Sequence, residues 1–397
     1  MPRRTGGFIG HRGLQAPDPP TAVTPTAGNA QVSVAFTAPS DVGDDAITAF
    51  VATTNDGFGA TGSSSPLTIT GLTNGTSYTV RAFAINDYGT SAPSEASSSV
   101  TPSLDRILLM GGRQTNSFTQ VNIIEFITPS TTGNPTDFGD LLSNVYDAHN
   151  GAAGSKTRTL SIGGSSSNVI QYVNPASTGN ATDFGDTQSS TAFVPGATSN
   201  DTRAIFGEGA NTTISYVTIA STGNATTFGT SSEAMEGSSA FASSTRGVFV
   251  IGKGSSTNPS DILEYVTIAS TGNTTDFGNL TQSRNDPTTG GSGTRGIIAG
   301  GYNGSSTYYN VIDYVTTAST GNATDFGDLA VSRRQLAGAG GTTRSVFFGG
   351  RIAADPYFIN NIEYVTTDTT GNTTDFGDIS AVRGQSNCGS ANHGGLQ

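Results

Sequence analysis

A chain of 397 residues with 53 glycines and only 12% charged residues is rich in turn formers and poor in the residues of long helices, which excludes a helical protein. A formal net charge of −12 excludes a general nucleic-acid binder, because phosphate contact needs clustered Lys and Arg. The single cysteine, Cys388, excludes an internal disulfide, and no apolar run approaches the ~20 residues that span a bilayer. What remains is an all-β chain whose Val, Ile, Phe and Tyr recur at regular intervals, unlike those of a disordered segment.

Residues 1–16 are basic and glycine-rich, with Arg3, Arg4 and Arg12, no acid, and Phe8-Ile9 as the one adjacent apolar pair. This segment cannot fold alone. It is expected to be an extended anchoring arm, with Phe8 and Ile9 inserted into a neighbouring subunit and Arg3, Arg4 and Arg12 meeting acidic groups. Two arginines without an apolar stretch do not make a signal peptide, so synthesis in a cytoplasm is expected.

Residues 17–103 alternate as a β-sandwich does. Val32, Val34 and Phe36 form one strand, Ile47, Ala49 and Val51 another, and Tyr78, Val80, Ala82 and Ala84 one face of a longer strand. The residues Val34-Ala35-Phe36-Thr37-Ala38-Pro39, Leu72-Thr73-Asn74-Gly75-Thr76-Ser77-Tyr78, Ala84-Ile85-Asn86 and Gly89 resemble a fibronectin type III domain. The resemblance implies a spacer or interaction module, with Phe36 where the family has a core Trp. It also implies a corner role for Tyr78, whose hydroxyl ties a loop back to the strand.

Residues 104–397 repeat one phrase six times. Its phenylalanine stands at Phe138, Phe184, Phe228, Phe277, Phe326 and Phe376, in steps of 46, 44, 49, 49 and 50 residues. Twelve residues before each comes a second aromatic: Phe126, Tyr172, Tyr216, Tyr265, Tyr314 and Tyr364. Each copy opens with an arginine and an apolar run that leads to glycines. A period of this length means stacked supersecondary units, none of which buries its apolar face alone. Each unit reads as four strands. In the copy ending at Phe376 these are a small inner strand over Gln335–Gly340, then Arg344–Phe348, Ile362–Val365 and a strand around Phe376. The first copy lacks its first strand. Shifting by one period lays Cys388 on Gly338, so the tail supplies that strand and the two ends share one unit. The apolar runs before Gly111-Gly112, Gly163-Gly164, Gly300-Gly301 and Gly349-Gly350 resemble a kelch-type β-propeller. Six blades closed by N- and C-terminal strands are expected, with Phe in place of the usual Trp and broken glycine pairs at Gly207-Glu208-Gly209 and Gly252-Lys253-Gly254.

Chemistry-bearing motifs are sparse. Asp-Phe-Gly recurs five times without a kinase's other elements, so it reads as a turn, Asp accepting backbone N–H groups and Phe filling between blades. Gly57, Gly59 and Gly62 match a dinucleotide fingerprint, but no helix follows them. The three histidines, His11, His149 and His393, are scattered, and the repeated aspartates lack the clustering of a calcium loop. No catalytic residue, metal site or cofactor is therefore expected. The arginines Arg106, Arg158, Arg203, Arg246, Arg295 and Arg344 are expected to pair with carboxylates such as Glu125, Glu264, Asp313 and Glu363; a ring of ligand-binding arginines is the alternative. The first, fifth and sixth blades have longer loops, and two of these carry Tyr302, Tyr308, Tyr309, Tyr357 and Phe358, a candidate contact patch for a glycan or a protein. Covering the blade's own edge is the other use of these rings.

The phrase Ser177-Thr178-Gly179-Asn180-Ala181-Thr182-Asp183-Phe184-Gly185-Asp186 and the opening Gly6-Gly7-Phe8-Ile9-Gly10 resemble virion structural proteins of tailed phages, particularly cyanophages. The resemblance implies a non-enzymatic fibre, appendage or capsid-decoration subunit, oligomeric in the particle. Its partners would be capsid, neck, tail or fibre proteins, with no nucleic acid and no membrane insertion. A receptor-binding adhesin for host surface glycan is the alternative reading, and a glycan-cleaving propeller enzyme the third.

Overall fold

A computed structural model describes residues 15–102, 105–114, 119–146, 151–164, 167–191, 196–253, 259–354 and 357–390. The arm residues Arg3, Arg4, Phe8, Ile9 and Arg12, and all three histidines, lie outside these. Among the described residues all regular structure is β, and the chain forms two compact units, the second running on from Asp105.

The described residues of the first unit form seven strands: β1 (Thr21–Gly28), β2 (Gln31–Thr37), β3 (Ala49–Thr54), β4 (Gly59–Gly62), β5 (Leu67–Thr70), β6 (Val80–Asn86) and β7 (Gly89–Thr90). One antiparallel sheet has the order β1-β2-β5 and the other β4-β3-β6-β7. Period-two alternation drives the two faces together: Val32, Val34, Ile69, Val80, Ala82 and Ala84 are all fully buried. Phe36 packs against Phe50 with ring centroids 5.0 Å apart, two smaller rings filling this part of the core. On β3 the buried face is Phe50, Ala52 and Thr54, while Ala49 and Val51 are half-buried, so the expected face of that strand is corrected by one residue. The Thr73 N–H donates to the Tyr78 hydroxyl at 3.1 Å, which ties the preceding loop to the strand.

The described residues of the second unit form six antiparallel sheets. Sheet 1 contains β8 (Ile107–Gln114), β9 (Thr119–Ile127) and β10 (Thr136–Asp140). Sheet 2 contains β11 (Ala152–Gly154), β12 (Thr159–Gly164), β13 (Ser167–Val173) and β14 (Thr182–Thr191). Sheet 3 contains β15 (Ala197–Ser199), β16 (Arg203–Gly207), β17 (Thr213–Thr218) and β18 (Thr226–Thr230). Sheet 4 contains β19 (Ser239–Ala242), β20 (Arg246–Val250), β21 (Ile262–Thr267) and β22 (Thr275–Asn279). Sheet 5 contains β23 (Thr288–Gly291), β24 (Arg295–Ala299), β25 (Val311–Thr316) and β26 (Thr324–Asp328). Sheet 6 contains β27 (Ala337–Gly340), β28 (Arg344–Phe348), β29 (Asn361–Thr366) and β30 (Thr374–Asp378). The strands of sheets 2–6 pair in chain order. Two C-terminal pieces, β31 (Arg383–Gly384) and β32 (Asn387–Ser390), return to β8, with Cys388 opposite Leu109 and Ser390 opposite Ile107.

Thr-Asp-Phe-Gly-Asp is not the expected turn. In sheets 1, 5 and 6 it is the whole fourth strand, bulged beside its phenylalanine. The phenylalanine is buried edge-to-face against its partner twelve residues back, as in Tyr314–Phe326 at 5.9 Å and 78°. Such pairs contribute about 0.5–1.5 kcal/mol beyond their area. The aspartates do not receive the backbone N–H groups expected of them. The asparagine of the Gly-Asn turn does, across sheets. The Asp140 N–H donates to Asn180, Asp186 to Asn224, Thr230 to Asn273, Asn279 to Asn322, Asp328 to Asn372, and Asp378 back to Asn134. The turn glycine beside each asparagine donates to the phenylalanine carbonyl of the preceding sheet, from Gly179 to Phe138 through to Gly133 and Phe376. At these seams glycine is required: a Cβ on Gly327 would meet the Gly371 carbonyl oxygen.

Candidate functional site

The six arginines that open the second strands have a role the carboxylate expectation missed. Each guanidinium lies over the aromatic ring of its own sheet, at 4.3 Å for Arg106 on Phe126, 4.5 Å for Arg295 on Tyr314 and 4.1 Å for Arg344 on Tyr364. Each also donates to a main-chain carbonyl of the next sheet: Arg106 to Pro175, Arg158 to Ile219, Arg203 to Ile268, Arg246 to Thr317, Arg295 to Thr367 and Arg344 to Pro129. They serve as inter-sheet ties.

Three of the four carboxylates are held by a second set of arginines that sequence reasoning did not single out, while Glu264 accepts from the Ser232 N–H and the Thr274 hydroxyl. Arg284 meets Asp313 at 2.8 Å, Arg333 lies 3.5 Å from Glu363, and Arg383 meets Glu125 in close contact. All six side chains are at most 4% exposed. Burial pushes the three guanidinium groups below their ordinary value, against the opposing pull of their acids. Arg333 is otherwise held by the Gly349 carbonyl and Asn361, whose amide donates to Glu363 at 2.7 Å. The signal was present in the sequence, because Arg284, Arg333 and Arg383 each stand eight residues after the Asp of Asp-Phe-Gly.

The aromatic loop residues separate. Phe358 is only 1% exposed and packs toward Gly384, so it is removed from the expected contact patch. Tyr309 is half-buried, and its phenol acts on Arg284. Tyr357 is 37% exposed and lies beneath Arg351 at 5.2 Å. Tyr302 and Tyr308 are opposite each other in an antiparallel bridge, edge-to-face at 6.0 Å and 70°. Arg334 covers Tyr302 at 4.0 Å and lies 5.3 Å from Tyr308, while its Nη1 meets Asp286 at 3.1 Å. Burial alone would lower the Arg334 guanidinium, but Asp286, Tyr308 and Tyr302 together hold it above its ordinary value.

The first strands of the six sheets line one cavity of about 70 Å³. Its walls are Gly, Ala, Ser and Thr with Phe241 and Cys388, and three of its four hydroxyls are committed: Ser199 to Gly154, Thr289 to Ala240, Ser390 to Gly340. Burial holds the Cys388 thiol well above its ordinary value, which keeps it protonated and unreactive. Among the described residues no group of His, Cys, Asp and Glu is placed to hold a metal ion, and no helix is long and apolar enough to cross a membrane.

A search among curated proteins found no match to the chain. Residues 16–100, the two-sheet sandwich with its Tyr78 corner, match the fibronectin type III domain, and the chain carries one such domain.

Proposed function

We propose that the six sheets are the blades of a kelch-like β-propeller, and that the chain is a non-enzymatic structural component of a tailed-phage virion. In this reading residues 1–16 dock on capsid, neck, tail or fibre proteins, the fibronectin type III domain is a spacer, and the propeller is held outward. The observation that carries the reading is the seam repeated at every sheet boundary, sheet 6 to sheet 1 included. Asn134 receives the Asp378 N–H and Arg344 reaches Pro129, as their counterparts do elsewhere. Buried acids that would serve an enzyme are committed to arginines and backbone, which favours a presenting platform over catalysis.

Deleting residues 1–14, which spares the Gln15 contacts with Asp44 and Asn86, should abolish incorporation into particles while leaving both folded units intact; normal incorporation would overturn the docking role. Class averages of the isolated second unit should show six lobes around a centre, and an open arc would overturn the propeller. The second reading is a receptor-binding adhesin for host surface glycan. The half-buried, rigidly held Tyr302 and Tyr308 favour it over the enzyme, which turnover on host polysaccharide would revive.

A further inference from the structure

The connection from β24 to β25 is one of the longer ones, as are those of sheets 4 and 6. After Gly300 it runs Gly301-Tyr302-Asn303-Gly304-Ser305-Ser306-Thr307-Tyr308-Tyr309-Asn310. Its tip is ordered from within. Asn303 Oδ1 accepts the N–H groups of Ser305, Ser306 and Thr307 at 2.9–3.0 Å and the Ser305 hydroxyl at 3.1 Å. The Asn303 N–H donates to the Thr307 carbonyl. Gly304, Ser305, Ser306 and Thr307 are exposed above the Tyr302–Tyr308 corner, which Arg334 and Asp286 brace from the neighbouring turns.

We infer that this loop is a recognition surface for an uncharged, hydroxyl-rich glycan. The inference deepens the adhesin reading and rests on the second unit being a presented platform. Three observations carry it. A loop already ordered loses little entropy on binding. Rigid Tyr rings beside Ser, Gly and Asn combine contact area at low entropy cost with adaptable hydrogen bonds. The exposed tip offers hydroxyls and no aliphatic side chain, so the occupant must itself be polar. Charge selects within that class. The Arg334 charge is matched by Asp286, and a chain of net charge −12 repels polyanions. An occupant with neutral hydroxyls and C–H faces fits both the tip and the rings.

The test uses the full chain on an array of bacterial and algal surface polysaccharides, neutral and acidic, with Tyr302→Ala and Ser306→Glu variants. Ser306→Glu adds charge at an exposed tip without touching the core, so it reads binding even where Tyr302→Ala disturbs the loop. Expected are binding to neutral polymers, a loss of roughly tenfold in Tyr302→Ala, and a clear loss in Ser306→Glu. Binding to acidic polymers only, to none, or unchanged in both variants overturns the inference. Both variants should enter particles normally. Failed glycan binding with normal incorporation removes this inference alone, whereas failed incorporation on arm deletion is the separate test of the platform.

Discussion

Sheets 5, 6 and 1 differ from sheets 2, 3 and 4 in what reaches one buried position, a buried arginine in the first group and, among the described residues, none in the second. The residue before the second-landmark aromatic is Asp313, Glu363 and Glu125 in the first group and Gln171, Ser215 and Glu264 in the second. In four of the sheets it accepts a backbone N–H from the preceding sheet: Leu142 gives one to Gln171, Ser232 to Glu264, Thr281 to Asp313 and Ala330 to Glu363. Ser215 is too short, and there the carboxylate of Glu208 receives the equivalent N–H of Gln188 instead. That accounts for the broken glycine pair around Glu208. Only the first group adds a buried arginine; Val145 and Met235 occupy the corresponding places ahead of sheets 2 and 4. The difference teaches that the acceptor recurs at seams with and without the arginine, and that the ion pair is an addition in one sector. A buried pair is weak evidence of net stability, yet breaking one is costly.

The comparison can be broken most forcefully at Arg383. Arg383→Met leaves Glu125 buried without its cation and should cost about 3–5 kcal/mol in denaturant unfolding of the second unit. Adding Glu125→Gln should restore most of that loss, since sheet 2 works with Val145 and Gln171. If the double variant is as unstable as the single, the sectors are not interchangeable. Next, Glu363→Gln, which strands Arg333, should cost about 3 kcal/mol. Glu264→Gln, which keeps an acceptor for Ser232 beside Met235, should cost about 1 kcal/mol. Equal losses would mean that the arginine contributes nothing particular.

Cys388 sharpens the contrast in pH. Ala240, Thr289 and Gly338 hold its place in sheets 4, 5 and 6, so only sheet 1 carries a titratable group there. Its folded value lies above its ordinary 9.0, so the native thiol keeps a proton that the unfolded chain releases. Stability should therefore be unaffected below pH 9.0 and fall above it, by up to about 1.4 kcal/mol per pH unit from this group. Cys388→Ala should remove that part of the slope in denaturation curves at alkaline pH. The smallest effect tests what the sectors share: Asn180→Ala and Asn372→Ala should each cost about 1 kcal/mol, and equally. A marked difference would show that the seam itself varies.

Much of this was legible from spacing. Arg344 to Phe348 is β28 as read, because the arginine and the glycine pair punctuate an apolar run. Counting one period back from Cys388 identifies the strand it stands for, and the Cys388–Leu109 register has that pairing. What spacing could not tell was direction. Glu125 and Arg106 both recur with the period, so their proximity in sequence suggested a pair, whereas Arg106 turns onto a ring and Glu125 meets Arg383 from the far end of the chain. Asp-Phe-Gly looked like a turn because Gly and Asp are turn formers. A bulged fourth strand uses the same residues, Gly327 taking a φ of +149° where the next sheet's turn crosses close by. Of the loop aromatics, Phe358 could not be told from Tyr357 by composition: Phe358 is turned inward at its bridge to Arg351, while its neighbour stays exposed.

The pairing of β32 with β8 also has a consequence in time. The ribosome delivers Ile107–Gln114 early, and its partner Asn387–Ser390 emerges only after the other five sheets have been synthesised. Until then β8 has an open edge, so a prematurely terminated product keeps that edge available to proteases and chaperones. Only a chain translated past Ser390 covers it.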